Sequence, residues 1–349
     1  MGRPEHLYSI VVPVYNRPDE LKQLLDSIAN QRYNRNFEIV VVEDGSEFDS
    51  RQVCEESPLS SKIHYYFTPN SGPGDSRNFG MRKASGDYFI LVDSDCILPE
   101  NYLNEVDRSL IEEYADFFGG PDAALPTFTL VQKAVNMVMT SKMSTGGIRG
   151  KSSSYFEPRS FNMGLSRAVF EATGGFSSLH PGEDPELVMR AWKLGFKSRL
   201  LKDAVVYHQR RIRFDSFFKQ VYKFGSVRPI LEQWHPEFKR WIYKAPALFL
   251  LYLLSCLAAG LAFMLDRLSL FTLSSVLLPL IVYLGLFKLQ LLYQTRSLKL
   301  TALSVFAFFL QMIGYALGYI RVKLGLWMNR SKPVELIFPH LFFKPLIKD

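Results

Sequence analysis

Carboxylates stand at places where they can do chemistry. Asp93-Ser94-Asp95 closes the apolar run Tyr88–Val92. Two carboxylates two residues apart beside a turn can hold one divalent ion. Hard oxygen donors suit Mg2+ or Mn2+, and such an ion can neutralise a diphosphate. An isolated D-x-D is also common on solvated turns. Gly72-Pro73-Gly74-Asp75-Ser76-Arg77-Asn78 opens a helical stretch just before it. Its glycines allow close backbone approach, and a helix N-terminus with a nearby arginine suits an anion; the plain alternative is a capped helix with a surface arginine. Asp44 follows another apolar run and can accept hydrogen bonds from a base or ribose, or simply form a turn. Gly182-Glu183-Asp184 precedes a helical stretch, Pro185–Leu194. A carboxylate there is a cap, or a general base that takes a proton from an acceptor hydroxyl. His208 follows the apolar Ala204–Tyr207 and reads equally as a third metal ligand, a phosphate contact or a packed histidine.

These residues need a scaffold. Residues 8–15, 37–42, 63–67 and 88–92 are short apolar runs of the kind buried in parallel sheets. Helical patterns lie between them, with Leu21, Leu24, Leu25 and Ile28 on one face and Asp75–Ser85 as a second helix. Strands alternating with helices predict an α/β parallel sheet, whose carboxyl ends are where ligands bind. Residues 120–160 are less regular and read as a mobile loop or lid.

Charge and hydropathy divide the chain. Residues 1–209 carry 22 Lys+Arg and 28 Asp+Glu, whereas residues 210–244 carry 9 and 3, and residues 245–349 carry 10 and 3. The N-terminal part is acidic, which excludes a nucleic-acid-binding module there. Basic residues beside apolar runs suit a membrane flank. Three apolar spans, about 245–265, 268–287 and 300–320, approach the ~20 residues needed to cross a bilayer. Residues 214–225 place Phe214, Phe217, Phe218, Val221 and Tyr222 at helical spacing among basic residues, as in a helix at a membrane surface. A loop holding Lys288, Arg296 and Lys299 reads as cytoplasmic, yet three crossings would then leave the basic tail outside. Met1–Tyr8 lacks a signal-peptide apolar region, so the first module is expected on the cytoplasmic side of a cell (inner) membrane. Three cysteines, Cys54, Cys96 and Cys256, are too few and too scattered for a disulfide framework or a zinc site.

Taken in order, Val11-Val12-Pro13-Val14-Tyr15-Asn16, Val42-Glu43-Asp44-Gly45-Ser46, Gly72–Asn78, Asp93-Ser94-Asp95, Asn162-Met163-Gly164 through Gly174-Gly175-Phe176, and Glu183-Asp184 resemble the family 2 glycosyltransferases. These are inverting enzymes of the GT-A fold. The resemblance covers about residues 7–210. It implies that Pro13, Tyr15, Asn16 and Asp44 frame the nucleotide, with Arg77 and Asn78 near it. It further implies that Asp93 and Asp95 bind the metal and diphosphate, with His208 a candidate third ligand. Asp184 would be the base, with Glu183 the fallback, and Asn162, Met163 and Gly164 would line the sugar or acceptor pocket. The expected organisation is a GT-A domain (1–210), an amphipathic interfacial segment (211–244), transmembrane helices (245–330) and a basic tail (331–349). The expected activity is transfer of a sugar from a nucleotide-diphosphate sugar, UDP by default, to a lipid-linked or other glycan acceptor in surface polysaccharide assembly, with Mn2+ or Mg2+.

Processive synthases of the family carry Q-x-x-R-W, which Gln220-Val221-Tyr222-Lys223-Phe224 only faintly echoes. Transfer of one or a few sugars is therefore expected rather than polymerisation. A silent membrane scaffold of the same fold is opposed by the intact Asp93, Asp95 and Asp184. A transport subunit is opposed by the scarcity of ionisable residues within the spans.

Overall fold

The computed structural model describes residues 6–123, 128–145, 156–208 and 213–344. Its elements are β1 (Tyr8–Val14), α1 (Pro18–Ala29), β2 (Phe37–Asp44), α2 (Arg51–Glu55), β3 (Ile63–Thr68), α3 (Pro73–Lys83), β4 (Tyr88–Val92), β5 (Cys96–Ile97), α4 (Tyr102–Glu112), β6 (Phe117–Gly119), β7 (Asp122–Ala123), α5 (Leu130–Thr140), α6 (Lys142–Thr145), β8 (Asn162–Ser166), α7 (Arg167–Thr173), α8 (Glu183–Lys193), β9 (Ser198–Leu200), β10 (Val206–His208), α9 (Phe214–Trp234), α10 (Ala245–Met264), α11 (Leu270–Thr295), α12 (Leu298–Met328) and α13 (Val334–Ile337). They form two compact units. One comprises residues 1–126, 150–210 and 338–349; the other comprises residues 127–149 and 211–337.

The first unit is α/β. Its main sheet runs β3-β2-β1-β4-β8-β6-β9. The first four strands are mutually parallel, while β8 runs antiparallel to both β4 and β6. β4 is apolar throughout and β1 nearly so, Ser9 apart, because both faces are covered, and of β1 only Pro13 is half-buried. Ile10, Val12 and Val14 pack with the Leu21, Leu24 and Ile28 face of α1, as the spacing predicts. The chain leaves β1 for β2 on one side, and β4 lies on the other. The carboxyl ends of β1 and β4 therefore bound a topological switch point, the ligand crevice of open α/β sheets. A smaller sheet, β5-β10-β7, completes the unit.

The second unit is helical. The irregular segment expected over 120–160 is in part ordered here: Thr129 makes a capping box with Gln132 and starts α5. Val135, Val138 and Met139 of α5 share a buried cluster with Phe217 and Val221 of α9 and with Phe308 and Met312 of α12. α9 and α12 approach closely because Gly225 faces the Tyr315 carbonyl and Gly318 faces the Tyr222 carbonyl; a Cβ at either glycine would collide with the opposing backbone. α10, α11 and α12 are long and apolar enough to cross a membrane. Few residues of α10 and α11 are fully buried, and Leu257 is 71% exposed. The basic loop expected over 288–299 is much shorter. Lys288 lies inside α11 and Lys299 inside α12, leaving Arg296, in the left-handed region, and Ser297 as the turn.

Candidate active site

β4 delivers Asp93 and Asp95 to the switch point. Each carboxylate meets an arginine from a neighbouring element. Arg77 Nη2 on α3 lies 2.5 Å from Asp93 Oδ1, and Arg17, in the turn after β1, bonds Asp95 Oδ2. Arg17 was not singled out from sequence; its position just before Pro18 reads only as turn chemistry.

Arg77 is 3% exposed, and its guanidinium lies 5.6 Å from the centre of the Phe176 ring. Burial would lower its pKa, but the charges of Asp93, Asp184 and Glu183 outweigh burial and raise it. Its Nε and Nη1 are buried without a hydrogen-bond partner among the described residues. A fixed cation with unused donors in an acidic crevice is suited to a multiply charged oxyanion.

The Glu183-Asp184 pair starts α8 behind Gly182, whose φ of +130° favours glycine. The two carboxylates differ. Glu183 is occupied: Oε1 lies 3.0 Å from His180 Nδ1, and Oε2 accepts from the Gly182 N–H at 2.8 Å. Burial pushes its pKa up, but the hydrogen bond and charge of His180, with Arg77, hold it below the ordinary value. Asp184 Oδ2 accepts from the Ser160 N–H at 3.1 Å, while Oδ1 is buried without a partner among the described residues. Burial and the neighbouring Glu183 charge raise the Asp184 pKa against the pull of Arg77 and Arg159.

The loops read as nucleotide-binding are tied together. Asp44 accepts from the N–H groups of Ser71 at 2.8 Å and Gly72 at 3.0 Å, joining the end of β2 to the start of α3. Its carboxylate is thus engaged in shaping the loop. Asn16, at φ +54°, donates its N–H to Ser46 Oγ at 2.8 Å, and its Oδ1 accepts from the N–H groups of Glu47 and Phe48. Tyr15 is exposed and Pro13 is half-buried beside it. Asn78 pairs both side-chain groups with the Phe176 main chain, at 2.8 Å each.

Asn162, Met163 and Gly164 begin β8, between β4 and β6, and all are buried; Asn162 pairs with Val92, next to Asp93. Asn162 Oδ1 accepts from Tyr102 Oη at 2.7 Å, and its Nδ2 donates to the Ala204 carbonyl at 2.8 Å. His208 ends β10 opposite Cys96, and its side chain lies outside the described part of the structure. No group of three or more His, Cys, Asp or Glu side chains suited to a metal occurs among the described residues. A pocket of about 390 Å³ lies between α3 and the loop before α8. It is lined by Ser71, Asp75, Asn78, Arg82, Ser177, His180, Glu183 and Phe343 among others. Of the predicted site residues, only Asn78 and Glu183 reach it.

Residues 9–174 match the family described as "Glycosyl transferase family 2". Glycosyltransferase GlyA of Streptococcus pneumoniae is 39% identical over 113 residues, which are 32% of this chain and 16% of that protein. Poly(ribitol-phosphate) beta-N-acetylglucosaminyltransferase TarS of Staphylococcus aureus is 32% identical over 112 residues, 31% of this chain and 20% of that protein. The chain thus matches only a fifth or less of these relatives' own length. The mannosyltransferase PcManGT of Pyrobaculum calidifontis, solved with GDP-Man and Mn2+, shares the fold at a TM-score of 0.61 and 17% identity, over 94% of this chain and 89% of that one.

Proposed function

We propose, on the match of residues 9–174 to the family 2 glycosyltransferases, that the protein is an inverting, membrane-anchored enzyme that moves a sugar from a nucleotide-diphosphate sugar to a glycan acceptor. The observation that carries this reading is Arg77. It is buried, bound to Asp93, held cationic by Asp93, Asp184 and Glu183, and keeps two donors unused. It therefore stands between the place for a leaving diphosphate and the place for a base.

Each remaining group then has a task. Asp44 and Asn16 shape the loops that receive the nucleotide, with Tyr15 and Pro13 at its face. Asp184 takes the acceptor proton through Oδ1, its oxygen without a hydrogen-bond partner among the described residues, as the hydroxyl attacks the anomeric carbon. Attack and departure on opposite faces invert that carbon. Asp95 and Asp93 would hold the metal. Their hard oxygens suit Mn2+ or Mg2+, and both carboxylates are already compensated by arginine cations. Among the described residues no third His, Cys, Asp or Glu joins them, and the His208 side chain lies outside the described part. When bound, the metal supplies charge stabilisation to the departing diphosphate.

The acceptor read for this enzyme is a lipid-linked glycan of surface polysaccharide assembly. Three helices of membrane-crossing length and the likeness to TarS, a glycosyltransferase of poly(ribitol-phosphate), support it. With the acidic module cytoplasmic, anchoring would keep the site near a substrate that cannot leave the bilayer.

A thermal-shift screen of the full chain in detergent, with Mn2+ and UDP, GDP, ADP or CMP, tests the donor half. One metal-dependent nucleotide is expected; no response from a cooperatively melting protein overturns the reading. Comparing kcat/KM on lipid-linked and water-soluble acceptors tests the other half, and equal values would remove the lipid.

A further inference from the structure

Residues 338–344 belong to the α/β unit, although the helices before them belong to the helical unit. Main-chain bonds seat this segment on the loop that leads to α8. The His180 N–H donates to the Leu341 carbonyl at 2.8 Å, and the Phe343 N–H donates to the Ser178 carbonyl at 2.9 Å. Leu179 and Phe342 pair as an antiparallel bridge between these bonds. Leu341 is 2% exposed and Phe338 is also buried. The contact has the form of a strand added to an otherwise irregular loop.

Phe343 joins two parts of the candidate site. Its ring meets the His180 ring edge-on, with centroids 5.3 Å apart. It also covers Gly72, where an added Cβ would fall 2.5 Å from ring carbons. Gly72 donates to Asp44, and His180 reaches Glu183. One aromatic side chain thus touches both the loop tied to Asp44 and the loop that carries the carboxylate pair.

We propose that Phe338–Phe343 is a strap that positions the carboxylate pair, with Phe343 and His180 as positioning residues for Asp184. This rests on the reading of Asp184 as the base. Residues 177–182 have no regular secondary structure and pass through the left-handed Gly182, so the loop has many conformations available without the strap. The strap's two main-chain bonds and the ring contact remove that freedom. Small displacements of a base are costly to turnover, on the order of 10²-fold for 1 Å. Because Phe343 acts through His180, the strap belongs to the step that needs the base, not to nucleotide binding.

The test is steady-state transfer by the full chain carrying Phe343→Leu, His180→Ala, both together, or Phe343→Tyr. Leucine keeps the apolar cover and loses the ring contact; tyrosine keeps the ring. Phe343→Leu and His180→Ala are each expected to lower kcat at least ~10-fold, with the nucleoside diphosphate Kd within ~3-fold of the parent. The double variant should be no slower than the slower single one, because both act along one route. Phe343→Tyr should retain kcat. Parent-level kcat in Phe343→Leu, or losses that multiply in the double variant, would overturn the strap. A parent chain that binds nucleotide but transfers no sugar would instead overturn the assignment of the base, and the strap's role with it. Hydrogen exchange at residues 178–184 gives a second readout independent of turnover. Phe343→Leu should accelerate it locally, and unchanged exchange counts against the proposal.

Discussion

Arg77 on α3 and Asp93 beyond the end of β4 are joined by a bond of 2.5 Å, and the arginine is buried while making it. The charges of Asp184 and Glu183 also act on that guanidinium. The acidic turn and the carboxylate pair therefore share one cation, and a change in the charge of either is felt by the other.

Asp184→Asn should reduce transfer by about 10²–10⁴-fold, the range for loss of a general base. Nucleotide affinity should stay near that of the parent, because Asn can still accept from the Ser160 N–H. Rate assays paired with nucleotide titration check this. Undiminished turnover would move the role to Glu183 or away from the pair.

The pH profile follows from the same pair. Asp184 must be ionised to act, and burial together with the Glu183 charge raises its pKa. Activity should therefore rise with pH through a value above that of an ordinary aspartate. The groups that set it are Glu183, Arg77, Arg159 and, through Glu183, His180. Glu183→Gln removes a negative neighbour, so the acid limb of kcat should move to lower pH. A limb that stays in place would show that the Glu183 charge does not govern it.

Asp95→Ala should weaken metal-dependent donor binding, whereas Arg17→Ala should strengthen the apparent affinity for Mn2+. Arg17 now neutralises Asp95, so a cation has to replace it. Mn2+ titrations of nucleotide binding distinguish the two. Equal Mn2+ dependence in all three proteins would remove Asp95 from the metal site.

The seam between α9 and α12 should be intolerant of side chains. Gly318→Leu places atoms where the Tyr222 carbonyl lies and should destabilise the protein by ~1–3 kcal/mol or more. Gly260→Leu meets nothing within 4 Å at its Cβ and serves as the control. Melting temperatures in detergent compare them, and equal temperatures would contradict the close approach.

The bonds from Leu341 and Phe343 to the Ser178–His180 loop also constrain membrane sidedness. Residues before and after α10–α12 share one folded unit, which an even number of crossings between them would satisfy. In sealed vesicles, an impermeant maleimide should label Lys344→Cys and Glu47→Cys from the same side, in a background lacking the native cysteines. Asp266→Cys, in the turn between α10 and α11, should be labelled from the other. Opposite labelling of Lys344→Cys and Glu47→Cys would exclude the seated strap in the membrane.

What the sequence by itself determined is local in origin. Runs such as Tyr88–Val92 are apolar because both sheet faces are covered, and Asp93 and Asp95 must then stand at such a strand's end. Leu21, Leu24 and Ile28 repeat with the helical period, and α10 to α12 declare themselves by length and hydropathy. The tertiary structure decided which distant residues meet. Arg17 finds Asp95 across 78 positions, and Phe343 reaches His180 from the far end of the chain. Asn162 turns inward to Tyr102, which no neighbouring residue announces. α5 joins the helical unit because its apolar stripe, Val135, Val138 and Met139, is buried with Phe308 and Met312 rather than with the sheet. Periodicity records which face of an element is buried; the partner on that face is chosen by packing and charge between segments far apart in sequence.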